Sequence, residues 1–325
     1  MTVFVSTLNQ MGYLALLVII GYIVARIGAV PKTAFGILSK IENYILIPAL
    51  VLNTFMTNFT VDRLSVSWQP LVAGFAVGFA SIALALVFSR LCTKDAYVRK
   101  IFTYGLSFSN FGFMGNAVVQ AVYPDVFTDY LIFVLPLWIL IYMWGVPAWL
   151  IPSGEGKVTL GSRLRALLNP MFISTLVGMA LGLINLPALI KIPLLAEGTS
   201  FFLFPAISTL GACMSPVAML LTGMAIAQIN IKDAFKNISV YAVSFVRLIV
   251  FPMLFILLLL VIDLPETLAI CGICALAMPL GLNTIVVPGA YGLDTTAASG
   301  MALISHLLSA LSIPLVFMLF EKVIA

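Results

Sequence analysis

Eight residues that disturb a helix stand in two clusters inside otherwise apolar stretches: Asn110, Gly112, Gly115 and Asn116 in the first, Pro279, Gly281, Asn283 and Thr284 in the second. Glycine and proline weaken a helix, and asparagine and threonine side chains compete for its backbone hydrogen bonds. A helix opened at the middle of a bilayer is tolerated only where the freed backbone is buried in protein or lines a cavity. The segment that resumes after such a break begins with unpaired amides and the positive end of a helix dipole, which together attract an anion. The chemistry on offer is therefore recognition of a small negatively charged molecule. The plainer alternative is that these residues only allow kinks and close helix contacts, both ordinary in membrane helices.

Two ionisable side chains join them. Arg247 lies ten residues into an apolar run, about 15 Å at helical rise and so about half the hydrocarbon depth. A charge there needs a partner or a water-filled cavity. It could be the counter-charge for an anionic substrate or a latch on backbone carbonyls, or it could snorkel toward one surface. His306, the only histidine, falls about eleven residues into another run. It could relay a proton, its pKa being the nearest to neutrality; among Ser305, Ser309 and Ser312 it could equally be a neutral member of a hydrogen-bonded bundle. Of the twelve carboxylates, all read as loop or helix-end residues, Glu42 is the nearest to an intramembrane acid.

The elements that must position these residues are ten hydrophobic stretches, near 8 to 27, 35 to 57, 70 to 92, 98 to 123, 129 to 152, 170 to 187, 203 to 228, 237 to 262, 266 to 291 and 295 to 320. With 62% hydrophobic and 9% charged residues, the chain suits hydrocarbon surroundings, and a soluble fold is excluded. Runs of ~20 apolar residues indicate helices, since barrel strands alternate over ~10. The second stretch carries Pro48, Leu52, Thr54 and Met56, and the seventh carries Pro216, Leu220, Thr222 and Met224, a constant shift of 168. Gly112 and Gly281 are 169 apart, so the breaks in stretches 4 and 9 recur at almost the same interval. Five spans per half force the second copy to insert upside down, giving two inverted repeats, 1–152 and 170–325, joined by a short cytoplasmic linker, 153–169. Such repeats characterise secondary transporters. The fold expected is an all-α integral membrane protein whose broken helices 4 and 9 cross near the bilayer middle. Pro48 and Pro216 read as structural kinks, with Asn53 and Thr54 close enough to face the cavity.

Basic residues in short loops stay on the cytoplasmic side. Arg26, Lys32, Lys40, Arg90, Lys94, Arg99, Lys100, Lys157, Arg163, Arg165, Lys232 and Lys236 follow odd-numbered spans, whereas Arg63, Lys191 and Lys322 lie on the opposite face. Twelve against three puts both termini outside. The first stretch has no basic leader and no small-residue cleavage site, and reads as a retained helix. Cys271 and Cys274 form a C-x-x-C, but on an apolar helix they read as packing residues. A single histidine cannot build the usual metal site, and no H-E-x-x-H or G-x-S-x-G occurs. No enzyme activity, cofactor, metal or nucleic-acid partner is expected.

The Ile47-Pro48-Ala49-Leu50 kink, the Ser109-Asn110-Phe111-Gly112-Phe113-Met114-Gly115-Asn116 run, the Ala277-Met278-Pro279 to Asn283 break and the Ser312-Ile313-Pro314-Leu315 segment resemble, in that order, the auxin efflux carrier family in its compact bacterial form. The resemblance covers essentially the whole chain. It implies ten helices with outside termini and a fold of the bile-acid/sodium symporter type. It also implies a scaffold of helices 1, 2, 6 and 7 and a transport unit of helices 3 to 5 and 8 to 10 that moves like an elevator. Family substrates are organic anions such as indole-3-acetate, malate or malonate, and a homodimer through the scaffold is implied by analogy. Carried over, Asn110, Gly112, Pro279 and Asn283 become crossing-site residues, with Gly115, Asn116, Gly281, Thr284 and Arg247 as further candidates around them. The long loop of the plant carriers between spans 5 and 6 is absent.

The function expected is therefore a permease or efflux carrier of small organic anions in a bacterial inner membrane. A sodium-coupled symporter of the bile-acid carrier type is the alternative, although sodium needs a cage of hard oxygens and no carboxylate is evident at the crossing. A channel or an intramembrane enzyme stands further off.

Overall fold

The computed structural model describes residues 2–31, 33–151, 160–161, 168–184, 202–228, 237–281 and 283–324. These residues are all-helical apart from turns and one isolated antiparallel bridge. Seven helices among them are long and apolar enough to cross a membrane. In chain order the main helices are α1 (Thr2–Arg26), α2 (Ala34–Asn58), α3 (Trp68–Cys92), α4 (Ala96–Ser107), α5 (Phe111–Val122) and α6 (Pro124–Leu150), followed by α7 (Pro170–Leu183), α8 (Leu203–Ala227), α9 (Ile238–Leu259), α10 (Glu266–Ala277), α11 (Asn283–Ala290) and α12 (Thr296–Ile324). The expected fourth and ninth stretches are each two helices, α4 with α5 and α10 with α11. α1 starts six residues before the hydropathy reading, because Thr7, Asn9 and Gln10 interrupt the apolar run without interrupting the helical backbone. The linker 153–169 lies largely outside the described residues, as do Lys32, Lys157, Arg163, Arg165, Lys191, Lys232 and Lys236.

Asp95 caps α4 by accepting from the Val98 amide at 2.8 Å, and Asn169 caps α7 by accepting from Phe172 at 3.1 Å, with Pro170 in the first turn. Within the long helices the irregularities cluster around prolines. α2 widens into a π-turn over Glu42–Leu46 just before Pro48, and α9 does the same over Val246–Val250 before Pro252. Proline has no amide to donate, so the preceding turn loosens. In α8 the turn at Cys213 precedes Pro216 in the same way. Pro48 and Pro216 thus each follow an irregular turn. The π-turn also carries Glu42 inward to 1% exposure, with its Oε1 unpartnered among the described residues. Its side chain therefore lies inside α2 rather than at a helix end.

α1 packs along α8, α7 along α2, and α8 against α2. Glycines permit the closest of these approaches: a Cβ at Gly223 would overlap the Val18 carbonyl of α1, and one at Gly178 would lie 3.0 Å from the Leu52 carbonyl of α2. A second set joins α3 to α4 and α6, and α9 to α10 and α12. α1 also touches α12, so the two sets share a long contact. Buried aromatics fill the second set, among them Phe102, Tyr104, Phe108, Phe111, Tyr130 and Phe133. Large apolar side chains such as Leu16 and Ile19 on α1, Phe79 and Val87 on α3, and Leu307 and Leu311 on α12 point outward. That outward apolar surface suits a lipid environment.

Candidate functional site

α4 ends at Ser107 because the chain turns extended at Phe108 (φ −127°, ψ 103°), and α10 ends likewise at Met278 (φ −69°, ψ 148°), one residue before Pro279. A residue preceding proline is driven toward extended backbone, which accounts for the second stop. The two extended pieces meet. Ser109 and Leu280 form an antiparallel bridge, and the Asn110 amide donates to the Pro279 carbonyl at 2.7 Å. Backbone freed by one break is thereby satisfied by the other. Gly281 allows this approach, since a Cβ there would stand 3.2 Å from the Phe108 carbonyl.

The carbonyls left at the ends of the preceding helices converge on Arg247. Its Nε donates to Met278 at 3.1 Å, one terminal nitrogen to Leu106 at 2.9 Å and the other to Ala275 at 2.8 Å. A guanidinium 1% exposed is stable here because it sits at the negative ends of two helix dipoles and over the Phe251 ring. Of the roles considered for Arg247, the carbonyl latch is the one this geometry fills. Ser109 adds a donor to Ala275 at 2.7 Å, and Ser305 accepts from the Leu280 amide at 3.2 Å.

On the other side of the meeting point, α5 resumes as a wide π-turn over Phe111–Gly115 and becomes regular α-helix at Asn116, while α11 resumes at Asn283. The wide turn over Phe111–Gly115 contains both glycines of the break, Gly112 and Gly115. No side chain caps its first turn. Asn110, Gly112, Gly281 and Asn283 line one cleft with Tyr104, Phe108, Phe111 and Trp138. The cleft holds about 20 Å³, room for roughly one water. Gly112 packs so closely on the Trp138 ring that a Cβ would overlap it, and Gly115 lies equally close to the Tyr130 hydroxyl, which donates to the Phe111 carbonyl at 3.0 Å. Asn283 donates to the Tyr104 hydroxyl at 3.1 Å.

The remaining candidates are placed otherwise. Asn116 lines a second cavity of about 20 Å³ beyond Trp138, with Val51 and Thr175. Thr284 is fully buried and donates to the Gly281 carbonyl. His306 meets Asn110, with Nε2 and Nδ2 3.0 Å apart, while its Nδ1 lies 2.8 Å from the Ala302 carbonyl. The Oδ1 atoms of Asn110 and Asn116 are buried and without a partner among the described residues. Trp138 was not legible as a site residue, since a lone aromatic on an apolar helix carries no motif. It separates the cleft, the second cavity and a larger one of about 290 Å³ edged by Lys40, Asn43 and Tyr142. Among the described residues no group of histidine, cysteine and carboxylate side chains could hold a metal ion, and Cys271 and Cys274 are free and buried.

A family model described as membrane transport protein matches residues 7–162 and 155–317. No curated protein matches the chain.

Proposed function

We propose, since the chain belongs to the membrane transport protein family that includes the auxin efflux carriers, that it carries a small organic anion across a bacterial inner membrane, binding it where the two interrupted helices meet. The family is one of transporters and not of enzymes. What supports the site is the division of labour around the break. Arg247 occupies the negative ends of α4 and α10, while α5 and α11 begin at the cleft with their positive ends toward it. Asn110 and Asn283 add side-chain amides, Gly112 and Gly281 let backbone come close, and Gly115, Asn116, Pro279 and Thr284 shape the surround.

In this reading α4 with α5 and α10 with α11 are the fourth and ninth of ten spans, and the halves 1–152 and 170–325 are inverted repeats. The packing of α1 on α8 and of α7 on α2 supports a scaffold of spans 1, 2, 6 and 7. The remaining six spans form a transport unit that moves past it like an elevator. A dimer forms through the scaffold, and both termini face the periplasm. A cleft of about 20 Å³ corresponds to a closed state that must widen around a carboxylate.

The test is uptake by purified protein in liposomes, with labelled malonate, malate and indole-3-acetate as probes. Saturable uptake of at least one is expected, with a loss of tenfold or more in Asn110→Ala and in Asn283→Ala, about 1.4 kcal/mol or more of lost binding. Uptake of none, or unchanged uptake in both variants, overturns the reading.

A further inference from the structure

We propose that His306 is a proton-operated positioning residue that decides which end of the Asn110 side chain the binding cleft receives. The argument begins with a carbonyl, which can only accept. His306 Nδ1 lies 2.8 Å from the Ala302 carbonyl, so Nδ1 carries a hydrogen. In the neutral ring Nε2 is then a bare lone pair, and the group 3.0 Å from it must donate. That group is Nδ2 of Asn110. The ring thus fixes the amide, and the unpartnered, buried Oδ1 of Asn110 is its consequence. Asn110 lines the cleft, and an unpaired acceptor oxygen there is unfavourable for a carboxylate.

Protonation reverses the relation. Imidazolium keeps its Nδ1–H bond to Ala302 and gains an Nε2–H, which needs an acceptor. A half-turn of the Asn110 amide supplies Oδ1 to the ring and frees both N–H groups for an anion. The proton comes from the aqueous side to which the site is open, and one proton with one monocarboxylate leaves the loaded site neutral. The inference rests on the anion-carrier reading for the identity of the ligand, but not for the switch itself. Coupling through this pair makes the protein a proton and anion symporter.

The helices packed against α12 carry other ionisable groups: Tyr13, Tyr22 and Arg26 on α1, Tyr97, Arg99, Lys100 and Tyr104 on α4, Cys213 on α8, Tyr241 and Arg247 on α9, and Glu266, Cys271 and Cys274 on α10. Among the described residues the two polar contacts of the His306 ring are Asn110 and Ala302. Arg247 spends its donors on carbonyls, and among the described residues no carboxylate is bonded to the ring to supply the proton internally.

Because His306 is the only histidine, nitrogen-15 labelling of histidine and asparagine in the protein in nanodiscs gives one ring spectrum beside the asparagine side-chain amides, that of Asn110 being identified by its loss in Asn110→Ala. Near neutral pH and without ligand, the expected form is the neutral ring with hydrogen on Nδ1. As pH falls, the side-chain amide signals of Asn110 move on the same titration curve as the ring. In His306→Gln, whose own amide can turn without a proton, they stay fixed. A ring with hydrogen on Nε2, or Asn110 signals indifferent to ring protonation, overturns the inference whether or not anything is transported. With 10 mM malonate, malate or indole-3-acetate, any probe that binds must make the ring take up its proton at higher pH. Binding without that change overturns the coupling, whereas binding of none overturns the carrier reading and leaves the ligand-free titration to decide the switch. In liposomes His306→Gln retains uptake of a transported probe but flattens its tenfold or greater rise with acidity.

Discussion

The Nε of Arg247 donates to the carbonyl of Met278 at 3.1 Å, so a side chain of α9 closes the end of α10. The same guanidinium closes the end of α4 through Leu106. Replacing it with alanine strands the buried Leu106 and Met278 carbonyls, each of which costs about 1 kcal/mol or more when unpaired, and leaves Ala275 with the Ser109 hydroxyl alone. Arg247→Ala should therefore lower stability by roughly 2 kcal/mol or more, seen as a lower melting midpoint in detergent. Arg247→Lys should fall between the two, because an ammonium is a point donor without the planar fork. An alanine variant that melts like the wild type would show the latch to be energetically idle.

Gly112 and Trp138 make a second pair. Gly112→Ala places a methyl where the Trp138 ring stands, and overpacking of this kind costs about 1 to 3 kcal/mol. Trp138→Ala removes the obstruction and the wall between the cleft and its neighbouring cavities. In a double-mutant cycle read by melting, the two changes should be less than additive, with a coupling of about 1 kcal/mol. Simple additivity would mean that the ring yields freely and does not wall the cleft.

Two glycines on neighbouring helices should respond in opposite directions. Gly223 of α8 faces the Val18 carbonyl of α1, a backbone atom that cannot move aside, whereas Gly12 of α1 has open space around it. Gly223→Ala should destabilise by about 1 to 3 kcal/mol, while Gly12→Ala should be neutral or raise stability by up to about 1 kcal/mol through helix propensity. Equal effects from both would remove the close contact as an account of α1 and α8.

Asp294 lies in the turn before α12, outside the membrane-spanning segments, and its carboxylate accepts from the Thr296 hydroxyl at 2.6 Å and the Thr296 amide at 2.9 Å. The side-chain bond from Thr296, then the backbone one, holds its pKa below the usual aspartate value. A lowered folded-state pKa means stability that is present above the unfolded value, about 4, and is lost as pH falls through the folded one. Asp294→Ala should cost about 1 kcal/mol near neutral pH, the net worth of an ordinary hydrogen bond. The gap in melting midpoint between wild type and variant should close as pH falls below 4. A gap independent of pH would assign the effect to packing.

Much of the architecture is written locally. Apolar runs of spanning length, Pro48 and Pro216 at equivalent places, and the clusters around Gly112 and Gly281 each follow from what neighbouring residues do to a helix, so they could be read without coordinates. The breaks at Asn110 and Pro279 belong to that class, because glycine, asparagine and proline act on their own backbone. The π-turn that opens α5 is not legible in this way, since it brings two glycines against the rings of Trp138 and Tyr130, which lie on another helix.

The partners across the chain are of another kind. Sequence alone determined that this protein is a bundle of membrane helices with two of them interrupted, because burial in hydrocarbon and helix breaking are properties of single segments. Only the tertiary structure decided that Asn110 bonds to Pro279, that Arg247 serves three carbonyls rather than the cleft, and that His306 reaches Asn110. Residues 28 to 196 positions apart come into register through packing of whole helices. Hydrogen-bond direction, which makes one amide end available and the other not, exists only once both groups are in place.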